Sequence, residues 1–355
     1  MMNFSDNDIV FLLGAGASAD ANIPTSTNMI REIEFLIKDD LQWQPYKDIY
    51  YYMKSALLYS ANIKGRFENS LNIEQLVNSL SELEKRDEHV IYPFIGNWNM
   101  KLVEVGGSDF ARVHDFRELI LAKLKKWVTR EDYRVAAYYS GLVSFQRELN
   151  SRLHIFSLNY DLCLENNCQG IKLERGFDEN TRHWDWRLFD ESNPAGENVK
   201  IYLYKLHGSI DWNRTPTGEI TYSEEVAQIE KPHLIFGTDY KLQYIDPYLF
   251  LMYQFRRRSL EAKLIVTIGY GFGDPHINGI VGQALGSKDD IRLFCVGLGI
   301  TKEGVIASVS SQLPNVNFDN KVTVDTGDAK SFFEKKLQVA TFAGVFPEDD
   351  AGKPF

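Results

Sequence analysis

Residues 9–19 read IVFLLGAGASA, a short apolar segment that leads directly into a glycine-rich turn. Five consecutive apolar residues followed by glycine are typical of a strand that is buried on both faces of a parallel sheet. Gly14, Gly16 and Ala19 have the G-x-G-x-x-G/A spacing of a dinucleotide-binding turn. In such a turn the first glycine permits a tight bend, and the second lets the backbone approach a pyrophosphate at the start of a helix. An ordinary glycine-rich turn between a strand and a helix has the same pattern, so both interpretations stay open on these residues alone.

Apolar runs of this kind recur along the chain, with helical patterns between them. The further strand candidates are His154–Leu158, Lys263–Ile268, Arg292–Val296, and, more weakly, Lys200–Leu206 and His233–Phe236. This alternation predicts an α/β fold with a Rossmann-like, doubly wound and mainly parallel sheet. Residues 27–146 are mostly helical in pattern and far too long for a simple crossover, so we expect a large helical insert or subdomain there. We expect a single domain over residues 1–355, with a flexible tail at 343–355.

The composition argues against several classes of function. A formal net charge of -10 disfavours a chain that wraps nucleic acid, because phosphate binding requires clustered Lys and Arg. The opening residues lack the basic start of a signal peptide, and no stretch reaches the roughly 18 apolar residues that cross a bilayer. The three cysteines fit no disulfide framework and indicate a reducing compartment. We therefore expect a cytoplasmic protein without direct membrane or nucleic-acid contacts.

Residues 14–24 read GAGASADANIP, which closely resembles the first NAD-binding motif of the sirtuins, GAGxSxxxGIPxFR. Asn22 stands where the family has glycine, and Asn tolerates the left-handed backbone conformation better than most residues. Ser26 and Thr27 replace the family's Phe and Arg. The resemblance implies that NAD is bound here by Gly14, Ala15, Gly16, Ser18, Ile23 and Pro24.

Two later segments also resemble sirtuin motifs. Residues 157–161 read SLNYD and are similar to the family's TQNID, with Leu158 in place of glutamine, and residues 206–208 read LHG, as around the sirtuin general base. The resemblance implies catalytic roles for Asn159, Asp161 and His207, and a binding role for Gly208. An imidazole can accept a proton near neutral pH. Taken alone, Asn159 and Asp161 would be helix-capping turn residues, and His207 a structural histidine.

Two further turns resemble the sirtuin segments that hold the adenosine half of NAD. Residues 269–274 read GYGFGD after a strand candidate, and residues 295–299 read CVGLG after another. The resemblance implies binding roles for Gly269, Tyr270, Gly271, Asp274 and Gly297.

The zinc module of the sirtuin deacylases has no counterpart in the sequence. That module needs two CxxC pairs after the catalytic histidine, and the chain contains no CxxC. No thiolate set for a tetrahedral metal site is therefore available, and we expect no metal. The arrangement resembles the zinc-free, sirtuin-like NADases of bacterial anti-phage defence. The resemblance implies that NAD+ is the substrate and is hydrolysed to nicotinamide and ADP-ribose.

Two other functions stay open on the sequence. One is a protein deacylase or ADP-ribosyltransferase, and the other is a non-catalytic module that senses NAD or ADP-ribose. A free NADase would drain its own cell, and the chain shows no recognisable sensor domain. We therefore expect a homo-oligomer controlled by a separate activator, for which the resemblance suggests a HerA-type ATPase, an argonaute-like protein or a phage component. The helical insert, with Tyr50, Tyr51, Tyr52 and Tyr59, is the expected assembly surface, although core packing explains these residues equally well.

Overall fold

The computed structural model describes residues 4–63, 71–85, 99–107, 110–190, 198–235, 246–311 and 316–346. By their internal contacts these residues divide into two units. A helical unit comprises the described part of residues 24–128. A sheet unit comprises the described parts of 4–23, 129–235 and 246–346. Each unit is described separately.

The helices of the helical unit are α1 (Ser26–Asp39), α2 (Lys47–Ile63), α3 (Ile73–Glu84), α4 (Met100–Gly106) and α5 (Ala111–Val128), with a 3-10 turn at Gln44–Tyr46. Asn72 caps the start of helix α3: its side chain accepts from Glu74 N (2.8 Å), while the Gln75 side chain accepts from Asn72 N (3.3 Å). This capping box satisfies N–H groups that a helix start leaves unpaired. The assignment of residues 27–146 to an insert within one domain stays a prediction.

The four tyrosines proposed for an assembly surface have different environments. Tyr50 is fully buried and donates a hydrogen bond from its hydroxyl to Glu34 Oε1 (2.7 Å). Tyr52 is half-buried, and Tyr51 and Tyr59 are 44% and 69% exposed. Tyr50 is therefore a core residue of the helical unit, and only the exposed tyrosines are available to a partner.

Strands of the sheet unit are β1 (Ile9–Leu13), β2 (Leu153–Ser157), β3 (Lys172–Glu174), β4 (Val199–Lys205), β5 (Trp212–Arg214), β6 (Ile220–Tyr222), β7 (Leu264–Ile268), β8 (Arg292–Val296) and β9 (Val322–Asp325). Within the described residues, seven of them form one sheet in the order β3-β4-β2-β1-β7-β8-β9, and every neighbouring pair is parallel. Strands β5 and β6 form a separate antiparallel pair. The predicted doubly wound parallel sheet is confirmed.

The helices of the sheet unit are α6 (Gly141–Leu149), α7 (Cys163–Asn167), α8 (Tyr248–Glu261), α9 (Pro275–Ser287), α10 (Lys302–Val309), α11 (Ala329–Ser331) and α12 (Val339–Ala343). Shorter 3-10 segments lie at Ala15–Ala21, Tyr133–Ser140, Trp186–Phe189 and Val226–Gln228, and a π-helical turn at Phe332–Lys336. In the part of the chain that the structure describes, no helix is both long and apolar enough to cross a bilayer. Of the predicted tail, residues 347–355 lie outside the described residues.

The strand order reverses at β1, which lies between β2 and β7. Every residue of β1, β2, β7 and β8 is buried, so both faces of the central strands are covered. In sheets of this type ligands bind beyond the carboxyl ends of the strands, at the point where the order reverses. The predicted strand at His233–Phe236 is wrong for its described residues, because only an isolated bridge joins Leu234 to Gly208.

Candidate active site

The motif residues follow the carboxyl ends of four adjacent strands, β4, β2, β1 and β7. Because these strands are parallel, the four loops leave the sheet at the same edge. Hydrogen bonds tie each strand end to its neighbour: Leu206 N to Ser157 O (2.9 Å), Leu158 N to Leu13 O (2.9 Å) and Gly14 N to Ile268 O (3.0 Å). The sheet therefore brings the three principal sequence motifs together at the point where the strand order reverses.

The first two motifs are joined by a buried chain of polar side chains. Asn159 donates from Nδ2 to Ser18 Oγ (3.2 Å), and Ser18 Oγ shares a 2.8 Å hydrogen bond with the Tyr139 hydroxyl. All three residues are buried. Burial raises the pKa of Tyr139 well above its usual value, so the phenol stays protonated. Ser18 and Asn159 therefore have a fixed relative position, and Tyr139 is a site residue that the sequence motifs did not indicate.

Asp161 is buried in the turn that begins α7. Its Oδ1 accepts from Cys163 N (3.0 Å), and its backbone carbonyl accepts from Lys205 Nζ. Lys205 Nζ also lies 3.2 Å from Glu165 Oε1, and burial raises the pKa of Glu165. The Asp161 side chain therefore stabilises a local turn, and the catalytic role proposed for it stays a prediction. Its carbonyl is held by a buried cation from β4.

His207 lies immediately beyond β4 and is 1% exposed. Its backbone carbonyl accepts from Ile235 N (2.9 Å), which fixes the turn. Gly208 has φ 83°, and a Cβ there would lie 2.3 Å from His233 O. Only glycine fits both the positive φ and the close contact with His233 O, so the turn that holds the His207 imidazole depends on Gly208. The Nε2 atom of His207 lies 3.5 Å from Asp274 Oδ2, a contact between two different sequence motifs.

The glycines of the first motif let two turns pack directly against each other. A Cβ on Gly16 would lie 2.8 Å from Gly269 Cα, and one on Gly14 would lie 2.6 Å from Tyr270 Cα. Gly16 N donates to Gly269 O (2.9 Å). The close contact between the two backbones is therefore enough to explain why glycine occupies positions 14 and 16. The spacing of the motif additionally predicts that a pyrophosphate approaches this turn. Asn22 has φ 60°, as its left-handed tolerance predicted.

The remaining residues proposed for NAD binding differ in their surroundings. Ala15 is exposed, Ile23 is buried, and Pro24 is the first residue of the helical unit. Tyr270 is buried, and its hydroxyl lies 2.7 Å from Asn278 Oδ1, so it braces the turn. Gly271 is exposed, with nothing within 4 Å of its Cβ position. Gly297 directly follows β8, and its N–H donates to Asp325 O (3.0 Å).

The cysteines are free and buried: Cys163, Cys168 and Cys295. Burial raises the pKa of Cys168 and of Cys295 to about 12, which keeps both as thiols. Within the residues that the structure describes, no group of three or more His, Cys, Asp or Glu side chains is arranged to hold a metal ion.

Part of the chain matches a known protein family. Residues 153–295 match the family model of the SIR2-like domain. This segment contains β2, β4 and β7, and it includes Asn159, His207 and Asp274. The chain thus contains a segment similar to SIR2-like domains, and the resemblance to sirtuins drawn from the motifs is confirmed at that level. No curated protein matches the sequence.

Among solved structures, the chain is similar to a Sir2 homologue in complex with NAD, at 14% identity and TM-score 0.44, over 95% of this chain and 90% of that one. It is also similar to a Sir2 homologue variant in complex with ADP-ribose, at 14% identity and TM-score 0.43, over 93% and 90%. A third similar structure is Sir2Tm bound to a propionylated peptide, at 12% identity and TM-score 0.38, over 95% and 94%.

Proposed function

We propose that the protein is an NAD+ hydrolase that releases nicotinamide and ADP-ribose. The observation that carries the proposal is the arrangement at the edge of the sheet. Asn159 is anchored through Ser18 to the glycine turn, and His207 stands beyond β4 with a carboxylate 3.5 Å from its Nε2. Both lie in the loops at the reversal point of a doubly wound sheet, where this class of fold binds nucleotides.

The polar groups at this edge of the sheet suit the pyrophosphate and the ribose of NAD. The turn after β1 leads into a helical segment, and the start of such a segment suits a pyrophosphate. Ala15 is exposed there, whereas the N–H groups of Gly14 and Gly16 already donate to Ile268 O and Gly269 O. Neutral polar groups, Ser18 and Asn159, are donors and acceptors for ribose hydroxyls. The solved structures cited above contain NAD or ADP-ribose bound to Sir2 homologues. These features support NAD as the substrate of this chain.

The proposed reaction breaks the bond between C1′ of the ribose and the nicotinamide nitrogen. Nicotinamide leaves as a neutral base, so its departure needs little help from an acid, and the barrier lies in the oxocarbenium-like ribose. Asn159, fixed by its bond to Ser18, orients the ribose and the attacking water. His207 accepts the proton as the water oxygen bonds to C1′. Such preorganised polar groups lower the barrier because they need not reorganise during the reaction.

We further propose, from the resemblance, that the hydrolase is an NAD-depleting effector of bacterial anti-phage defence. In that role it acts as a homo-oligomer under the control of a separate activator, of which a HerA-type ATPase is one candidate. The exposed Tyr51 and Tyr59 of the helical unit support a partner-facing surface there. Light scattering after size exclusion tests this part. An oligomer with low basal NAD cleavage supports it, and a fully active monomer at nanomolar concentration contradicts it.

Product analysis tests the activity itself. Purified protein is incubated with NAD, with and without an acyl-lysine peptide, and nicotinamide, ADP-ribose and acyl-ADP-ribose are quantified. Equal release of nicotinamide and ADP-ribose without peptide supports hydrolysis. Nicotinamide release that requires the peptide and yields acyl-ADP-ribose identifies a deacylase instead. Binding of NAD without any product identifies a sensing module.

A further inference from the structure

Asp274 has two carboxylate oxygens with different surroundings. Oδ1 accepts from His276 N (3.0 Å) and Ile277 N (3.5 Å) at the start of helix α9. Oδ2 instead lies 3.5 Å from Nε2 of His207. Both residues are buried, with 7% of Asp274 and 1% of His207 exposed. The contact therefore joins the end of β4 to the start of a helix that follows β7.

The helix cap alone does not require a carboxylate. Ser, Thr and Asn cap helices about as well as Asp, because one oxygen acceptor is sufficient. The second oxygen of Asp274 is not needed for that bond, and it is directed at an imidazole. The N–H groups and the dipole at the start of α9, a helix of 13 residues, stabilise the ionised form of the carboxylate. An ionised carboxylate can only accept hydrogen bonds.

A charged acceptor beside Nε2 selects one tautomer of neutral His207. If Nε2 carried a lone pair, that lone pair would face a negative oxygen in a buried site, which is unfavourable at this distance. If Nε2 carries the proton, the same contact is attractive, and it can shorten to a hydrogen bond when substrate binds. The Tyr160 ring, at 6.3 Å between centroids, is a neutral neighbour of the imidazole.

We propose that Asp274 is a positioning residue that holds His207 in its Nε2–H tautomer, which makes Nδ1 the nitrogen that takes the proton in catalysis. The tautomer assignment is argued from the contact between the two side chains and does not require the proposed reaction. The role of Nδ1 rests on the proposed hydrolase function. The two parts therefore have separate tests.

The tautomer is measured by 15N NMR of the full chain with labelled histidine, at a pH where His207 is neutral. The chain has 7 histidines, and a His207→Gln sample assigns the signal. The wild type is expected to show Nε2–H. In Asp274→Asn the amide oxygen keeps the helix cap, and the NH2 group faces Nε2, so the proton is expected to move to Nδ1. Asp274→Ser keeps a cap without a second polar arm and is expected to give a mixture of tautomers.

Nicotinamide release from NAD is measured on the same variants. Asp274→Asn is expected to lose at least about 100-fold in kcat with unchanged circular dichroism, because the equivalent exchange in serine proteases costs about 10⁴-fold through the wrong tautomer. Thr301→Ala is the matched control. Its hydroxyl caps α10 by accepting from Gly304 N (3.1 Å), so the variant loses a helix cap, and it should keep its activity.

The outcomes are distinguishable. An Nδ1–H tautomer in the wild type, or an unchanged tautomer in Asp274→Asn, overturns the positioning role. The expected tautomers in a protein that never cleaves NAD support the positioning role and refute the hydrolase. The expected tautomers with full NAD cleavage by Asp274→Asn overturn the role of Nδ1.

Discussion

Replacing Gly16 by alanine tests the packing of the two glycine turns. The new Cβ would lie 2.8 Å from Gly269 Cα and 2.9 Å from Gly269 O, and both are backbone atoms. Gly269 cannot easily move away, because its N–H donates to Val296 O (2.8 Å) and its carbonyl accepts from Gly16 N (2.9 Å). Forcing a methyl group into such a contact costs about 1–3 kcal/mol, and weakening the Gly16–Gly269 hydrogen bond adds roughly 1 kcal/mol. We expect a loss of about 2–4 kcal/mol in the free energy of unfolding.

Gly271→Ala is the matched control for this variant. It lies in the same turn after β7, but nothing lies within 4 Å of its Cβ position, so its stability should change by less than about 0.5 kcal/mol. Urea unfolding followed by circular dichroism compares the two variants with the wild type. If Gly16→Ala unfolds at the same urea concentration as Gly271→Ala, the two turns do not pack as described, and the steric reason given for Gly16 is wrong.

Three further predictions concern the same unit. Tyr139→Phe removes the hydroxyl that bonds Ser18 (2.8 Å) and should lower NAD cleavage about tenfold, at a stability cost of about 1 kcal/mol. Tyr253→Phe, at a site on α8 that is 58% exposed, should change neither. Equal activities in the two variants would exclude Tyr139 from the site. Burial lowers the pKa of His233 to about 4. As the pH falls below about 6.5, His233 therefore binds a proton in the unfolded state before it does so in the folded state. This difference should lower the free energy of unfolding by about 2 kcal/mol at pH 5. His233→Gln should accordingly lose less stability between pH 7 and pH 5 than the wild type. An equal loss in both proteins would contradict this assignment. Treatment with EDTA should leave both fold and NAD cleavage unchanged, since no CxxC pair is present; activity that is lost with EDTA and restored by zinc would contradict it.

The central sheet could be predicted from the sequence because its strands are buried on both faces. Such strands appear as unbroken apolar runs, and the predicted run at Arg292–Val296 coincides with β8. The prediction at His154–Leu158 is shifted by one residue from β2, which spans Leu153–Ser157. The strand predicted at His233–Phe236 is wrong for its described residues, because a short apolar run in a loop can have the same composition as a strand.

Part of the site could not be predicted, because long-range contacts have no local pattern. Tyr139 reaches Ser18 across 121 residues from a 3-10 segment without periodicity. The contact of His207 with Asp274 depends on β4 and β7 ending at the same edge of the sheet, which requires the strand order. The motif matches indicated each residue separately, whereas the pairing of their side chains follows only from the fold.

Nicotinamide release from NAD by His207→Ala tests the central claim most directly. The variant is compared with the wild type and with His183→Ala, whose imidazole is 45% exposed on the loop after β3. Removing a general base usually costs 10²–10⁴-fold, so His207→Ala should lose at least about 100-fold while circular dichroism shows an intact fold. His183→Ala should retain the wild-type rate. A folded His207→Ala protein that releases nicotinamide at the wild-type rate would contradict the account.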